Sequence, residues 1–299
     1  MRKRLRPRRW RVPFPGLPRG AGGAIFGGMG VTDHHVHLYP DALNRDPAGW
    51  AALHGEPHWA TLCTRRRRDG SSVQTFPSVD ELLRSMDAAG VERAVLLGWY
   101  WERPENCVWQ NRFYADCVRA HPDRFAAWAA VHAGAPAEAV REELRRARDD
   151  GLTGLGELSP HSQGAGFDAP GFQAALDLAE QWNWSVNLHV TDPRSRPYPG
   201  RVETPPEEFR ALAERRPSVR FVLAHWAGGL DVRALGNVFV DTAAGPLLYG
   251  EDAWAMVGRT VNPGQVLFGS DHPLRLYPRD DAGSGWGRFV GEARKHGRV

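Results

Sequence analysis

Five short motifs rich in histidine and carboxylate are spread along this 299-residue chain, and each lies beside a short apolar run of strand character. They are Asp33-His34-His35-Val36-His37, Gly156-Glu157-Leu158, Asn187-Leu188-His189, Leu223-Ala224-His225-Trp226 and Gly269-Ser270-Asp271-His272-Pro273. A parallel barrel collects the ends of strands distant in sequence at one face. A doubly wound sheet shares the strand–helix alternation, but its glycine-rich phosphate loop must follow the first strand. Here Gly27-Gly28-Met29-Gly30 precedes that strand. The expected fold is therefore α/β, a (β/α)8 TIM barrel with an insertion after strand one.

Eight runs fit the strands: 31–37, 94–98, 125–131, 153–158, 185–190, 220–224, 238–240 (ending at Asp241) and 265–268. Helices are expected between them. Ser78 with Glu81 three residues on reads as a capping box, and Gly90 as its stop. Pro205-Pro206 opens another helix. Further helices are expected over 110–121, 138–149, 171–181, 251–257 and 286–295. Residues 39–77 are long for a structureless connection and read as a lid or entrance insertion. The run Arg65 to Arg68 within it reads as solvated surface.

The net charge of +3 comes from one end of the chain. Residues 1–19 hold eight basic residues and no acid, which leaves the rest near −5. A body of that sign does not suit nucleic-acid binding. Residues 1–28 are expected to be a basic, Pro/Gly-rich disordered extension and 29–299 the barrel domain, with Met29 a natural beginning. No apolar run is long enough to span a bilayer, and no secretory signal is recognisable. Cys63, Cys107 and Cys117 have no paired spacing; they suit a reducing cytoplasm and buried thiols.

The motifs carry metal chemistry. Residues i and i+2 of a strand share a face, so His35 and His37 can approach one ion together. Asp33 is expected on that face and His34 on the other. His189 and Asp271 complete a shell of three imidazoles and a carboxylate, with zinc the natural ion. Glu157 is a further ligand, a bridge between two ions, or a group that orients a histidine or water. His225 either binds a second ion or polarises substrate. One divalent ion is expected and a second is the open alternative. His161, His272, His132 and Asp241 are candidate contacts around the shell. Trp99, Tyr100, Trp101 and Trp226 are candidate pocket walls, and Arg194, Arg196 and Arg275 candidate grips for a substrate carboxylate.

From Val31 to the last helix the chain resembles the amidohydrolase superfamily, and more closely its amidohydrolase-related branch. Thr32 to His37 is similar to that family's first-strand His-x-His signature, and Asn187-Leu188-His189 to its fifth-strand ligand. Leu223-Ala224-His225 is similar to its sixth-strand histidine, and Gly269 to Pro273 to its Gly-Ser-Asp-x-Pro signature. The resemblance implies metal-dependent hydrolysis of lactones, amides or esters, or decarboxylation or hydration of aromatic-derived acids. Decarboxylases of the family often carry glutamate where this chain has Asp33, which tilts the expectation toward hydrolysis. Gly154-Leu155-Gly156-Glu157 resembles the bridging glutamate of deoxyribonuclease-like relatives, which keeps a two-metal phosphodiesterase open. No lysine follows strand four to be carboxylated as a bridge.

The leading expectation is thus a cytoplasmic hydrolase that uses metal-activated water on a small cyclic or carboxylate-bearing ester, lactone or amide. Asp271 would move the proton, assisted by His225 and Glu157. The alternatives are a non-oxidative decarboxylase of an aromatic acid and a two-metal phosphodiesterase. A nucleic-acid binder using the basic tail is the non-enzymatic alternative. Assembly as a homo-oligomer is compatible with all of these.

Overall fold

The structure is a computed structural model that describes residues 30–280 and 283–299. The expected basic extension lies outside the described residues. Eight parallel strands run in chain order: β1 (Val31–Val36), β2 (Val91–Leu97), β3 (Phe125–Trp128), β4 (Gly154–Leu158), β5 (Ser185–Leu188), β6 (Arg220–Leu223), β7 (Val238–Asp241) and β8 (Val266–Leu267). They form ladders β1-β2-β3 and β4-β5-β6-β7-β8. Parallel bridges from Ala129 to Leu155 and from Val36 to His272 join the two into a closed (β/α)8 barrel.

Inward-facing Val95, Leu97, Trp128 and Val222, with Phe239 and Leu267, fill the barrel. The other strand face carries Ala94, Leu96, Val186, Phe221, Leu223 and Val240 into a larger core beneath the helices. Those helices are α4 (Val79–Ala89), α5 (Pro104–Ala120), α6 (Ala137–Asp149), α7 (Pro170–Trp182), α8 (Pro206–Arg215) and α10 (Trp286–Lys295), with the single turn α9 (Gly245–Leu248) between α8 and α10. Proline sits in the first turn of α5, α7 and α8, where a missing N–H costs nothing. Ser78 and Glu81 form the capping box of α4, worth about 1 kcal/mol, and Gly90 ends that helix in the left-handed region.

Three expectations need correction. The helix expected over 251–257 is replaced by α9 and a 3-10 segment, Gly250–Met256. Pro246 and the left-handed Gly250 confine this stretch to short turns. Strand β8 keeps only two ladder residues, because the chain then swings across to β1, where His34 N donates to Phe268 O at 2.8 Å. The third concerns Asp33. A register irregularity between Asp33 and Val36 breaks the simple alternation of β1. Asp33 pairs with Ala94, on the helix-covered side, and its carboxylate receives the Trp286 indole N–H of α10 at 2.8 Å. It therefore does not share a face with His35 and His37.

The insertion is ordered. Helices α1 (Asp41–Asn44), α2 (Pro47–His54) and α3 (Pro57–Cys63) pack Trp50 and Trp59 against Tyr39 and Trp101. Buried Glu56 accepts the backbone N–H groups of Glu102 and Arg103 and the Asn106 amide, tying the insertion to the start of α5. Burial pushes that carboxyl up to about 7. Gln74 then bridges antiparallel to Leu274, which seats the insertion beside the segment carrying Asp271.

Candidate metal centre

Four imidazoles and two carboxylates converge at the C-terminal end of the barrel in two groups that share Glu157. One oxygen of Glu157, Oε2, lies 3.7 Å from His35 Nε2 and 3.6 Å from His37 Nε2. The other, Oε1, lies 2.9 Å from His189 Nδ1 and 3.5 Å from His225 Nε2. Asp271 Oδ1 completes the first group at 3.7 Å from His35 Nε2 and 3.5 Å from His37 Nε2. The sets His35–His37–Glu157 and Glu157–His189–His225 each have spacings able to hold a metal ion, and Asp271 stands beside the first. The single shell expected from His35, His37, His189 and Asp271 is thus divided: His189 lies with Glu157 and His225.

The chemistry of this donor set fits cations. His35 Nδ1 faces Asp241 Oδ2 at 2.9 Å, His37 Nδ1 faces the Leu97 carbonyl at 3.0 Å, and His225 Nδ1 faces the Ala243 carbonyl at 3.2 Å. A carbonyl or carboxylate partner fixes the ring proton on Nδ1 and leaves a lone pair on Nε2. His189 is turned the other way. Its Nδ1 faces Glu157 Oε1 at 2.9 Å, while Nε2 lies 3.4 Å from the Thr191 hydroxyl, which itself donates to Val202 O at 2.7 Å. The His35 and His37 lone pairs face each other, their Nε2 atoms 3.2 Å apart, and His225 Nε2 lies 3.2 Å from His189 Nδ1. Neutral His35 and His37 cannot hydrogen-bond to each other in that arrangement, and the buried carboxylates beside them need positive charge.

Protons take that role when no metal is bound. Burial pulls His35 down, but Asp241, Glu157 and Asp271 outweigh it and raise the group to about 10. His225 is likewise depressed by burial, yet Glu157 and Asp271 raise it to about 9. Glu157 is pushed up by burial and held well below the usual carboxylate range by the surrounding histidines, His189 and His35 foremost. Asp241 is also lowered, burial being overcome by His35.

The backbone explains how the groups meet. Gly269 passes so close to β1 that a Cβ there would lie 2.7 Å from His35 Cβ. Asp271 N donates to His35 O at 2.9 Å and His37 N to His272 O at 2.7 Å, which fixes the last segment against β1. Asp271 itself is left-handed, with φ 70°. His225 opens a run of left-handed residues through Gly229, three of them after His225 bearing φ values of 56°, 53° and 58°. Asp241 Oδ1 takes the His225 and Ala243 N–H groups while Asn187 donates to Oδ2, so one carboxylate ties β1, β5, β6 and β7.

Trp99 stacks on Tyr100 at 4.4 Å and meets His37 edge-on at 5.2 Å, and Tyr100 lies 5.2 Å from His189. These two stacked, buried rings lie beside the cluster. The other expected contacts fall elsewhere. Trp101 is buried in the insertion core, its indole donating to Gln110, and Trp226 packs against Trp254 beneath the helices. His272 stacks on Trp286 at 4.2 Å, and burial lowers it to about 3. His161 pairs with Glu208, Arg194 with Asp192, and the Arg275 backbone with Val73, while Arg196 is exposed. His132 accepts from Gly134 N. Sequence reasoning missed Asn187 and Thr191 as supports; each lies two residues from His189, the spacing that shares a strand face.

Solved structures with the same architecture include a probable 2-pyrone-4,6-dicarboxylic acid hydrolase from Acinetobacter baumannii with citric acid bound (15% identity, TM-score 0.57, covering 90% of this chain and 95% of that one). A 5-carboxyvanillate decarboxylase from Novosphingobium aromaticivorans, complexed with manganese and a nitrobenzoic acid, is similar at 17% identity and TM-score 0.62, covering 91% and 97%. A 2,6-dihydroxybenzoate decarboxylase from Rhizobium follows at 18% and 0.53, covering 90% and 98%. These likenesses establish the barrel. No curated protein matches the chain. The amidohydrolase family profile matches residues 32–292, nearly the whole described barrel, and the chain belongs to that family of metal-dependent enzymes.

Proposed function

We propose that this protein is a two-ion hydrolase of small ester-like substrates. The observation that carries the reading is Glu157, whose two oxygens each face a different pair of imidazoles. His35, His37, Asp271 and Glu157 would hold one divalent ion, and Glu157, His189 and His225 a second. Zinc suits a site dominated by imidazole. Bound ions of this kind acidify water and polarise a carbonyl or phosphoryl oxygen.

The chain's own groups supply the rest. Asp271 is the more accessible of the two cluster carboxylates, its side chain 15% exposed against 2% for Glu157. It takes the proton of the attacking water and returns it to the leaving group. Trp99 and Tyr100 give a planar substrate a face to lie on, and the Tyr100 ring holds it over His189. Asp241 keeps the His35 proton on Nδ1.

A second reading is non-oxidative decarboxylation of an aromatic acid. The aromatic pair Trp99–Tyr100 beside the cluster and the barrel shared with the carboxyvanillate and dihydroxybenzoate decarboxylases favour it. Against it stands Asp33, whose carboxylate is engaged by Trp286 rather than offered to the cluster. The test is a panel of lactones, esters, phosphoesters and hydroxybenzoates in oxygen-18 water, with metal content counted on the purified protein. Two ions and label in the product support the two-ion hydrolase. Carbon dioxide release without label, on one ion, replaces it with the decarboxylase.

A further inference from the structure

Asp33 is fully buried and close in sequence to two of the cluster histidines, yet it faces none of them. Its Oδ1 accepts two backbone N–H groups at once, from His35 and from Ser270, each at 3.0 Å. Its Oδ2 accepts the Trp286 indole N–H at 2.8 Å. The Ser270 hydroxyl also bonds Asp33, and it accepts the His272 N–H at 3.0 Å. The residues on both sides of Asp271 are therefore fixed by Asp33, directly at Ser270 and through the Ser270 hydroxyl at His272. Trp286 closes the arrangement by stacking on the His272 ring. Asp271 needs this support, because its left-handed backbone is unfavourable for a side-chain-bearing residue.

We propose that Asp33, held by Trp286, is a positioning residue for one half of the centre. It sets the backbone from which His35 and Asp271 present their ligand atoms, and it meets the His189–His225 half only through Asp271 Oδ2, 3.9 Å from His225 Nδ1. The helix α10 thereby reaches the metal centre through one indole N–H. The assignment rests on the two-ion reading above for its claim of selectivity between halves.

The chemistry of an amide makes a sharp test. In Asp33→Asn the side chain has one acceptor and one NH2 group, but both directions are occupied by donors. Either the two backbone N–H groups or the indole N–H must then face an NH2. Trp286→Phe removes the indole donor and frees one direction, so the amide oxygen can return to His35 N and Ser270 N.

Co(II) is titrated into chelator-stripped wild type, D33N, W286F and D33N/W286F, followed by visible absorption and calorimetry. His37→Ala and His189→Ala assign each binding step to its half. D33N is expected to weaken the His35–His37 step by about 10- to 100-fold, as loss of a ligand-orienting partner does, and to leave the other step unchanged. The double variant is expected to recover most of that loss. Equal weakening of both steps in D33N, no weakening, or a double variant no better than D33N each overturns the assignment. A wild type that binds a single ion refutes the two-ion reading instead. Asp33 is then judged on that ion, by the same loss in D33N and recovery in the double variant.

Discussion

The two halves of the metal centre are built by different means. His35 and His37 come from one strand, two residues apart, and their side chains are 0% and 3% exposed. His189 and His225 come from the ends of β5 and β6 and stand at 17% and 9%. The first half has four protein donors with Asp271, the second three. The imidazoles of the inner half are thus specified by local sequence and shielded from water, while Asp271 beside them is 15% exposed. The outer half exists only once the barrel closes, and it faces the opening. On the two-ion reading, tighter retention is expected of the inner half and readier exchange of the outer.

Glu157→Gln gives the largest effect expected, because it removes the carboxylate whose two oxygens each face one pair of imidazoles. An amide NH2 also points a donor where cation charge belongs. Both ions should be lost on dialysis and activity abolished; elemental analysis showing one ion retained would break the symmetry of the bridge. Next come His37→Ala and His189→Ala. The first should empty the inner half, whereas the second should leave one ion that resists a chelator. Equal retention in the two variants would show that the halves do not differ.

Gly269→Ala is a finer probe. Its new methyl would meet His35 Cβ, and overpacking of this kind costs about 1–3 kcal/mol. Thermal melts of the stripped protein should show that loss, and metal titration should show weakening confined to the inner half. Weakening of the outer half alone would reverse the comparison.

The smallest effect is in pH. In the stripped protein His35 and His225 are raised to about 10 and about 9 from an unfolded value near 6.5. Their contribution to stability is therefore complete below about pH 6.5 and is lost as pH rises through 9 to 10. Metal needs both rings unprotonated, so loaded protein should instead weaken as pH falls. Calorimetry at pH 7 in buffers of different ionisation enthalpy should register release of about two protons on loading both halves. Release of none would mean that the rings are neutral without metal.

Much of this was legible beforehand. His189, His225 and Asp271 could be placed at strand ends because short apolar runs precede them, and His35-x-His37 on one face by its two-residue spacing. Glu157 was visible as a candidate bridge, but its two-sided contact depends on where β5 and β6 lie relative to β4. Asp33 was misplaced because strict alternation does not anticipate a bulge, and a bulge is a matter of pairing between strands. Trp101 and Trp226 were offered as walls because a tryptophan at a strand end reads alike whether it faces a pocket or a core. The short turns around α9 lacked any periodic signal to distinguish them from a helix.

The left-handed run from His225 to Gly229 carries a consequence for engineering. An L-residue in that conformation is less stable by about 1–2 kcal/mol, and Trp226 and Ala227 both adopt it. Ala227→Gly would relax the backbone without touching the His225 ring, whereas Gly228→Ala would press a methyl to 3.1 Å from Val190. Two adjacent positions thus both favour glycine, one by relief of the backbone and the other by want of space. At position 227 that relief is opposed by loss of a buried core methyl worth about 0.8 kcal/mol, so the backbone gain must exceed it for Ala227→Gly to stabilise the fold.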